Sequence, residues 1–361
     1  MNVNTYLRRL VDENASDLHF KVGTPPVLRV NGQLLILEGN RLSPAEVEQV
    51  AVSLLPESKR TLMEEGHELD VAYSVPGLGR FRTNIYKQRG TFAIAIRYIP
   101  SSAELTFDGL NLPPVLRDLA DQQRGLVLLT GTTGSGKSTT LAAMIQHINA
   151  TRKGHIVTIE DPIEFLHRDN KCIISQRELG EDTASFSTAL KYVVRQDPDV
   201  ILVGEMRDVD TVASVIQAAT TGHLVFSTLH TTDTVQTINR IVNFFPSHQH
   251  QQVRVDLAAC LRGIVGLRLL ARADGAGRVP AVEVMVSTPT IRDLLLSEEK
   301  MEKIKEAIDQ GSLHYGMQTY DQALIRLYRD GLIHYEEALN NATSPGDLAL
   351  KIRSEMPDRR K

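Results

Sequence analysis

Eight consecutive residues, Gly131-Thr132-Thr133-Gly134-Ser135-Gly136-Lys137-Ser138, carry the densest chemistry in the chain. They match the pattern GxxxxGK[ST] without a gap, after an apolar run at 126–130 and before a segment of helical character at 139–148. Glycines let such a loop wrap closely around a phosphate, and successive backbone N–H groups point inward as an anion nest. The N-terminus of the following helix adds partial positive charge. In this reading Lys137 reaches the β- and γ-phosphates of a nucleotide, the Ser138 hydroxyl coordinates Mg²⁺, and Thr139 completes the binding set. A glycine-rich turn matching by chance would not come with both flanks.

Three further apolar runs end in hydrophilic residues. Residues 156–159 lead into Glu160-Asp161-Pro162-Ile163-Glu164, residues 200–203 into Gly204-Glu205-Met206-Arg207-Asp208, and residues 224–228 into Leu229-His230. In an open parallel sheet, ligands bind beyond the carboxyl ends of the strands, so these groups gather on the edge that holds the glycine loop. Phosphoryl transfer to water needs a metal, a polarised nucleophile and charge neutralisation. Two carboxylates in different surroundings could divide that work, and Glu164 and Glu205 are the candidates. Gly204 stands where an aspartate is usual, which leaves the metal role, through water, to Glu205. Taken singly, Glu160, Asp161 and Glu164 also read as an acidic helix start. His230 is the candidate γ-phosphate sensor, whereas His223, after Gly222, serves a structural hydrogen bond equally well. Arg195 and Arg207 flank the Glu205 strand and read either as sensors or as partners in structural ion pairs.

Arg82 and Arg97 present a different problem. If Arg89-Gly90 is a two-residue turn, they lie directly opposite one another on neighbouring strands. Two facing guanidinium groups repel unless an anion lies nearby. A phosphate on a neighbouring subunit would make them trans-acting arginine fingers; two solvated arginines beside a bulged turn is the simpler alternative.

The elements that must position these groups fall into two regions. Residues 1–99 predict an α+β domain. Asn31-Gly32 predicts a hairpin between 27–30 and 33–36, and Ser43-Pro44-Ala45-Glu46 is a capping box opening a helix that runs to about Leu55. Segments with one apolar face follow around Leu69, Phe81 and Phe92, as in an antiparallel sheet covered on one side. Residues 100–114 are polar with prolines and read as a linker. From 115 to 288 short unbroken apolar runs separated by helical segments predict a mainly parallel sheet buried on both faces. The fold class is therefore α/β, preceded by an α+β domain. Residues 289–361 read as helical, with one helix from Thr319 to Gly331 and a last one capped by Ser344-Pro345-Gly346-Asp347.

Composition narrows the function classes. With 42% hydrophobic and 23% charged residues the chain reads as an ordinary globular protein. A net charge of −4 gives no general basic field for nucleic acid. The Arg359-Arg360-Lys361 run reads as a solvated chain end. Cys172 and Cys260 are far apart, against a disulfide framework or a cysteine zinc site and in keeping with a reducing compartment. No window reaches eighteen apolar residues, and the first fifteen hold four charges, so a spanning helix and a signal peptide are not expected.

Over nearly its whole length the sequence resembles the secretion ATPases of type IV pili and type II secretion. The resemblance rests on the glycine loop, the stretch Thr158-Ile159-Glu160-Asp161-Pro162-Ile163-Glu164, the Glu205 strand, and Gly222-His223 through His230-Thr231. It implies ATP and Mg²⁺ as cofactors and a homo-hexamer. It also implies a PAS-like N-terminal domain and a RecA-like P-loop domain in each chain. Glu164 is then the general base, Glu205 positions Mg²⁺, and Arg82 and Arg97 match the family's N-terminal arginines. Within the family the chain looks like the retraction (PilT/PilU) branch. Ser16-Asp17-Leu18-His19 comes almost at its start, four clustered cysteines are missing, and Gly316-Met317-Gln318-Thr319-Tyr320-Asp321 matches that branch. That implies a cytoplasmic protein, peripheral at the inner membrane through a pilus platform protein. A paralogous retraction ATPase is a further candidate companion; direct membrane insertion and nucleic acid are not expected. Thr290-Ile291-Arg292-Asp293-Leu294-Leu295-Leu296-Ser297 departs from the branch's helix motif by lacking a second arginine. A nucleotide-sensing scaffold without sustained hydrolysis and a nucleic-acid motor are the rival readings.

Overall fold

The computed structural model describes residues 2–355, and the basic run Arg359-Arg360-Lys361 lies outside the described residues. Contacts divide the chain into two compact units. The first comprises residues up to Ser101 together with Glu164–Leu166, and the second holds Ser102–Ile163 and the chain from His167 onward.

The first unit is a six-stranded antiparallel sheet. Its strands are β1 (Asp17–Lys21), β2 (Val27–Val30), β3 (Gln33–Ile36), β4 (Leu69–Val75), β5 (Gly79–Gln88) and β6 (Thr91–Ile99), in the order β3-β2-β1-β6-β5-β4. Asn31 and Gly32, at φ 48° and 80°, form the tight turn that pairs Val30 with Gln33. Arg89 and Gly90 repeat the device at φ 50° and 78°, and the register sets Arg82 opposite Arg97, as the two-residue turn predicts. Helices Val3–Asp12 and Pro44–Leu54 bury Leu7, Leu10, Val47 and Val50 against Leu18, Phe20, Phe81 and Ile85 of the sheet. Ser43 and Glu46 close the expected capping box.

The second unit is built on a seven-stranded sheet. Its strands are β7 (Gly125–Thr130), β8 (Gly154–Glu160), β9 (Cys172–Glu178), β10 (Val200–Val203), β11 (Leu224–Leu229), β12 (Leu261–Ala271) and β13 (Arg278–Val286), in the order β13-β12-β7-β11-β10-β8-β9. All neighbours are parallel except β13, which runs antiparallel to β12. Leu126 and Leu128 enter one hydrophobic cluster, while Val127 and Leu129 enter the cluster on the opposite face. Burial on both faces is why the strand reads as an unbroken apolar run. Phe107 and Leu112, within residues 100–114, are buried in the second of these clusters. Beyond Thr288 the chain is helical. Helix Tyr320–Arg329, opened by a Thr319 capping box, and helix Pro345–Glu355 pack on Leu270, Val279 and Ala281. Parallel pairing brings the carboxyl ends of β7, β8, β10 and β11 to one edge, where the candidate chemistry gathers.

Candidate nucleotide-binding site

β7 ends at Thr130 and the chain passes through the glycine loop into helix Lys137–Thr151. Gly131 is required by space as well as conformation. At φ 147°, a Cβ there would lie 2.5 Å from the Leu267 carbonyl oxygen of β12. Gly136, at φ 97°, turns the chain into the helix. The buried Lys137 ammonium donates to the carbonyls of Gly131, at 2.7 Å, and Thr132, at 2.9 Å. It is thereby folded back over its own loop. Among the described residues the buried Ser135 hydroxyl has no hydrogen-bond partner. A buried orphan hydroxyl calls for an acceptor or donor, and a phosphate oxygen held by the loop supplies one. Thr132, Thr133 and Gly134 form the exposed crown of the loop, and Ser138 and Thr139 lie half-buried in the first helical turn.

The ends of β8, β10 and β11 meet in a charged chain. Glu205 pairs through Oε1 with Arg207 Nη2 and through Oε2 with His230 Nε2, at 3.3 Å. Arg207 reaches Asp161 at 3.4 Å through Nη1, and Glu205 holds its guanidinium still more firmly protonated. The turn carrying Glu205 is tied to β11, because Thr228 Oγ1 donates to the Gly204 carbonyl at 2.7 Å and Met206 N donates to the Thr228 carbonyl. Ser138 and Glu205 carry oxygens of the kind that suit Mg²⁺, which takes few protein carboxylates and completes its shell with water and phosphate. Glu160, by contrast, accepts from Thr158 Oγ1 at 2.7 Å and Gln176 Nε2 at 3.2 Å, a structural role.

Two residues left open between a sensing and a structural role lie at the other strand ends. His223 precedes β11 and Arg195 precedes β10, so both sit toward the amino ends of strands whose carboxyl ends carry the site. Crossing the six residues of β11 covers about 20 Å. The His223 ring instead bonds the Ala218 carbonyl at 3.0 Å, and Arg195 lines a surface cleft with Tyr192 and Gln217. Each therefore lies at the strand end opposite the residues that follow β8, β10 and β11. Glu164 belongs by its contacts to the first unit and is exposed. In that unit Arg97 Nε donates to Asp17 at 2.9 Å, and Arg82 lies 3.6 Å from Asp70. The repulsion between the facing arginines is therefore answered by carboxylates of the same sheet.

Sequence reading passed over the groups that brace the edge. Thr130 Oγ1 lies 2.6 Å from Thr231 Oγ1, which lies 2.7 Å from Thr237 Oγ1, so the end of β7 is laced to the segment after His230. Glu283 of β13 is buried and accepts from both the N–H and the hydroxyl of Thr234, at 2.9 and 2.8 Å. A carboxylate inside the otherwise apolar run at 279–286 was the visible signal.

A lysine-bearing loop of this geometry, at the carboxyl edge of a mostly parallel sheet, places the molecule among the P-loop nucleotide-binding proteins. Residues 80–322 match the type II/IV secretion system protein family, and the chain belongs to that family. It is 42% identical to the type IV pilus ATPase PilU of Pseudomonas aeruginosa over 98% of this chain and 92% of that protein. With the type IV pilus retraction ATPase PilT of the same organism the identity is 43%, over 96% and 99%. The crystal structure of the pilus retraction motor PilT with bound ADP superimposes with a TM-score of 0.88 at 43% identity, covering 97% of this chain and 99% of that one.

Proposed function

We propose that the chain is a hexameric, Mg²⁺-dependent ATP hydrolase that powers retraction of a type IV pilus. The observation that carries this reading is the 43% identity to a retraction ATPase across 99% of that protein's length. The buried Lys137 cradle supports it. Lys137 exchanges the Gly131 and Thr132 carbonyls for phosphate oxygens, while the loop amides hold the remaining charge. Ser138 and, through water, Glu205 hold the metal. Mg²⁺ held there would supply positive charge to the phosphates. Glu164 takes up a proton from the attacking water, and His230, already paired with Glu205, senses the terminal phosphate. Arg82 and Arg97 leave their carboxylates to reach the nucleotide of a neighbouring subunit, and Arg207 keeps Glu205 oriented.

In this reading the first unit is a PAS-like domain, residues 1–99, and the second a RecA-like domain, 115–288, with the helical region 289–361 appended. Attachment to the inner membrane runs through the pilus platform protein, and a paralogous retraction ATPase is a further partner. Among the described residues no helix is long and apolar enough to cross a membrane. Deleting the gene tests the direction of force: excess surface pili with lost twitching is expected, and bald cells would overturn the assignment. Steady-state phosphate release from the purified chain separates a motor from a nucleotide-binding scaffold.

A further inference from the structure

A cleft of about 540 Å³ opens on the second unit between helix Val115–Ala120, the start of β12, the end of β13 and the 314–316 turn. Arg262 and Arg292 both line it. Arg262 donates through Nε to the Arg124 carbonyl at 3.0 Å and through Nη1 to the Ala259 and Leu261 carbonyls at 3.4 Å. Arg292 donates through Nε to Ser287 Oγ at 3.4 Å. These partners are all neutral, and among the described residues neither arginine has an ion pair. Burial and then the neighbouring Arg292 charge push the Arg262 pKa down, so the two cations disfavour one another. The contrast with Arg82 and Arg97, which share the same problem and each have a carboxylate, is direct.

The rest of the lining says what kind of anion fits. Val115, Leu119 and Val286 supply apolar wall, and Tyr315 adds a ring with a polar tip. A small inorganic ion would leave that wall unused. Asp118 also lines the cleft and opposes a ligand carrying several negative charges. We propose that this cleft is a recognition site for one carboxylate side chain, flanked by apolar residues, on a segment of a protein partner. Guanidinium groups are suited to carboxylates by their fixed fork of donors. Two such groups acting on an isolated tripeptide correspond to a dissociation constant on the order of 1 mM.

The test is arginine modification of the full chain with phenylglyoxal, read by mass spectrometry at Arg262 and Arg292, with exposed Arg240 as internal control. The competitors are the blocked peptide Leu-Glu-Leu, its Leu-Gln-Leu counterpart and inorganic phosphate. At about ten times the dissociation constant, Leu-Glu-Leu should slow modification of both cleft arginines about tenfold and leave Arg240 unchanged. Leu-Gln-Leu and phosphate should do neither. Absence of protection overturns the proposal, and equal protection by phosphate overturns it in favour of a site for small anions. Arg292→Gln, on an exposed helix position, should abolish peptide binding in equilibrium dialysis with phosphate release unchanged. Retained binding by that variant also overturns the proposal. Because the Arg262 stem packs against Gly125 at the start of β7, Arg262→Lys is the safer second variant, and it should weaken binding without unfolding the sheet.

Discussion

Two regions of the molecule hold arginine against carboxylate, and they do so on different terms. In the first unit Arg97 and Arg82 are 68% and 45% exposed, and each leans on one carboxylate of a neighbouring strand. In the second unit the carboxylate is the inner partner: Glu205 is 13% exposed and is gripped from two sides by Arg207 and His230. Exposed pairs are worth roughly 0.2–1 kcal/mol, so Arg82, whose partner Asp70 is 56% exposed, exchanges partners at little cost, whereas Arg97 holds an Asp17 as shielded as Glu205. A shielded carboxylate with two fixed partners keeps its place instead. The difference separates groups able to travel to an arriving phosphate from groups that wait for one.

The comparison breaks first at the loop. Lys137→Ala removes the ammonium and leaves the Gly131 and Thr132 carbonyls without it; turnover should fall by about a thousandfold or more. Measurable steady-state phosphate release close to the parent rate would remove the phosphate cradle from the argument. Glu205→Gln comes next. It keeps the side chain's shape but removes the charge that holds Arg207 and His230. Turnover should fall about a hundred- to a thousandfold, with nucleotide still bound in a fluorescent-analogue assay. Equal turnover would mean that Glu205 is only an anchor for Arg207.

How much of this was legible in the sequence depended on how local each signal is. The glycine loop, the Arg89-Gly90 turn and the Ser43 capping box are encoded within a few residues, and the Arg82–Arg97 register followed from the turn alone. Strands β7, β8, β10 and β11 stood out because burial on both faces leaves no polar interruption. β9 did not stand out: it is the sheet edge, Ile173 is exposed, and polar residues fill its latter half. β12 and β13 pass their helical or turn neighbours without such a break, and Arg268 and Glu283 interrupt their apolar pattern. The end of a strand at which a polar residue falls was knowable in principle. His223 and Arg195 precede their strands, and that order already removes them from the phosphate edge. The threonine lacing from Thr130 to Thr237 was not knowable, since its first link, Thr130 to Thr231, joins residues 101 apart in sequence.

The first unit sharpens the comparison with a smaller effect on the fold. Arg82→Ala should lower stability by less than about 1 kcal/mol in urea melts, because the pair it breaks is exposed on both sides, and Arg97→Ala should cost more, because it takes the partner from the shielded Asp17. Turnover of the assembled protein should nevertheless fall at least about tenfold if these arginines act on a neighbour's nucleotide. Unchanged turnover with unchanged assembly would leave them as sheet ornaments neutralised by Asp17 and Asp70.

The smallest effect concerns Glu283, the most deeply placed carboxylate of the second unit. Burial raises its pKa above the ordinary glutamate value of 4.5, while the two Thr234 hydrogen bonds and Lys305 pull it down. A raised folded-state pKa means that the native chain binds this proton more tightly than the unfolded chain does. The resulting contribution to stability is present in full below pH 4.5 and is lost as pH rises through the raised value. Glu283→Gln has no proton to lose, so its stability should decline less than the parent's over that window. Its amide oxygen still accepts from Thr234, which should hold the cost of the substitution near neutral pH to about 1 kcal/mol. Glu283→Ala, by contrast, strands both Thr234 donors and should cost about 1–3 kcal/mol. Urea melts across the pH series decide it. Parallel slopes for parent and Glu283→Gln would mean that burial does not govern this carboxylate, and that its two bonds to Thr234 keep it ionised throughout.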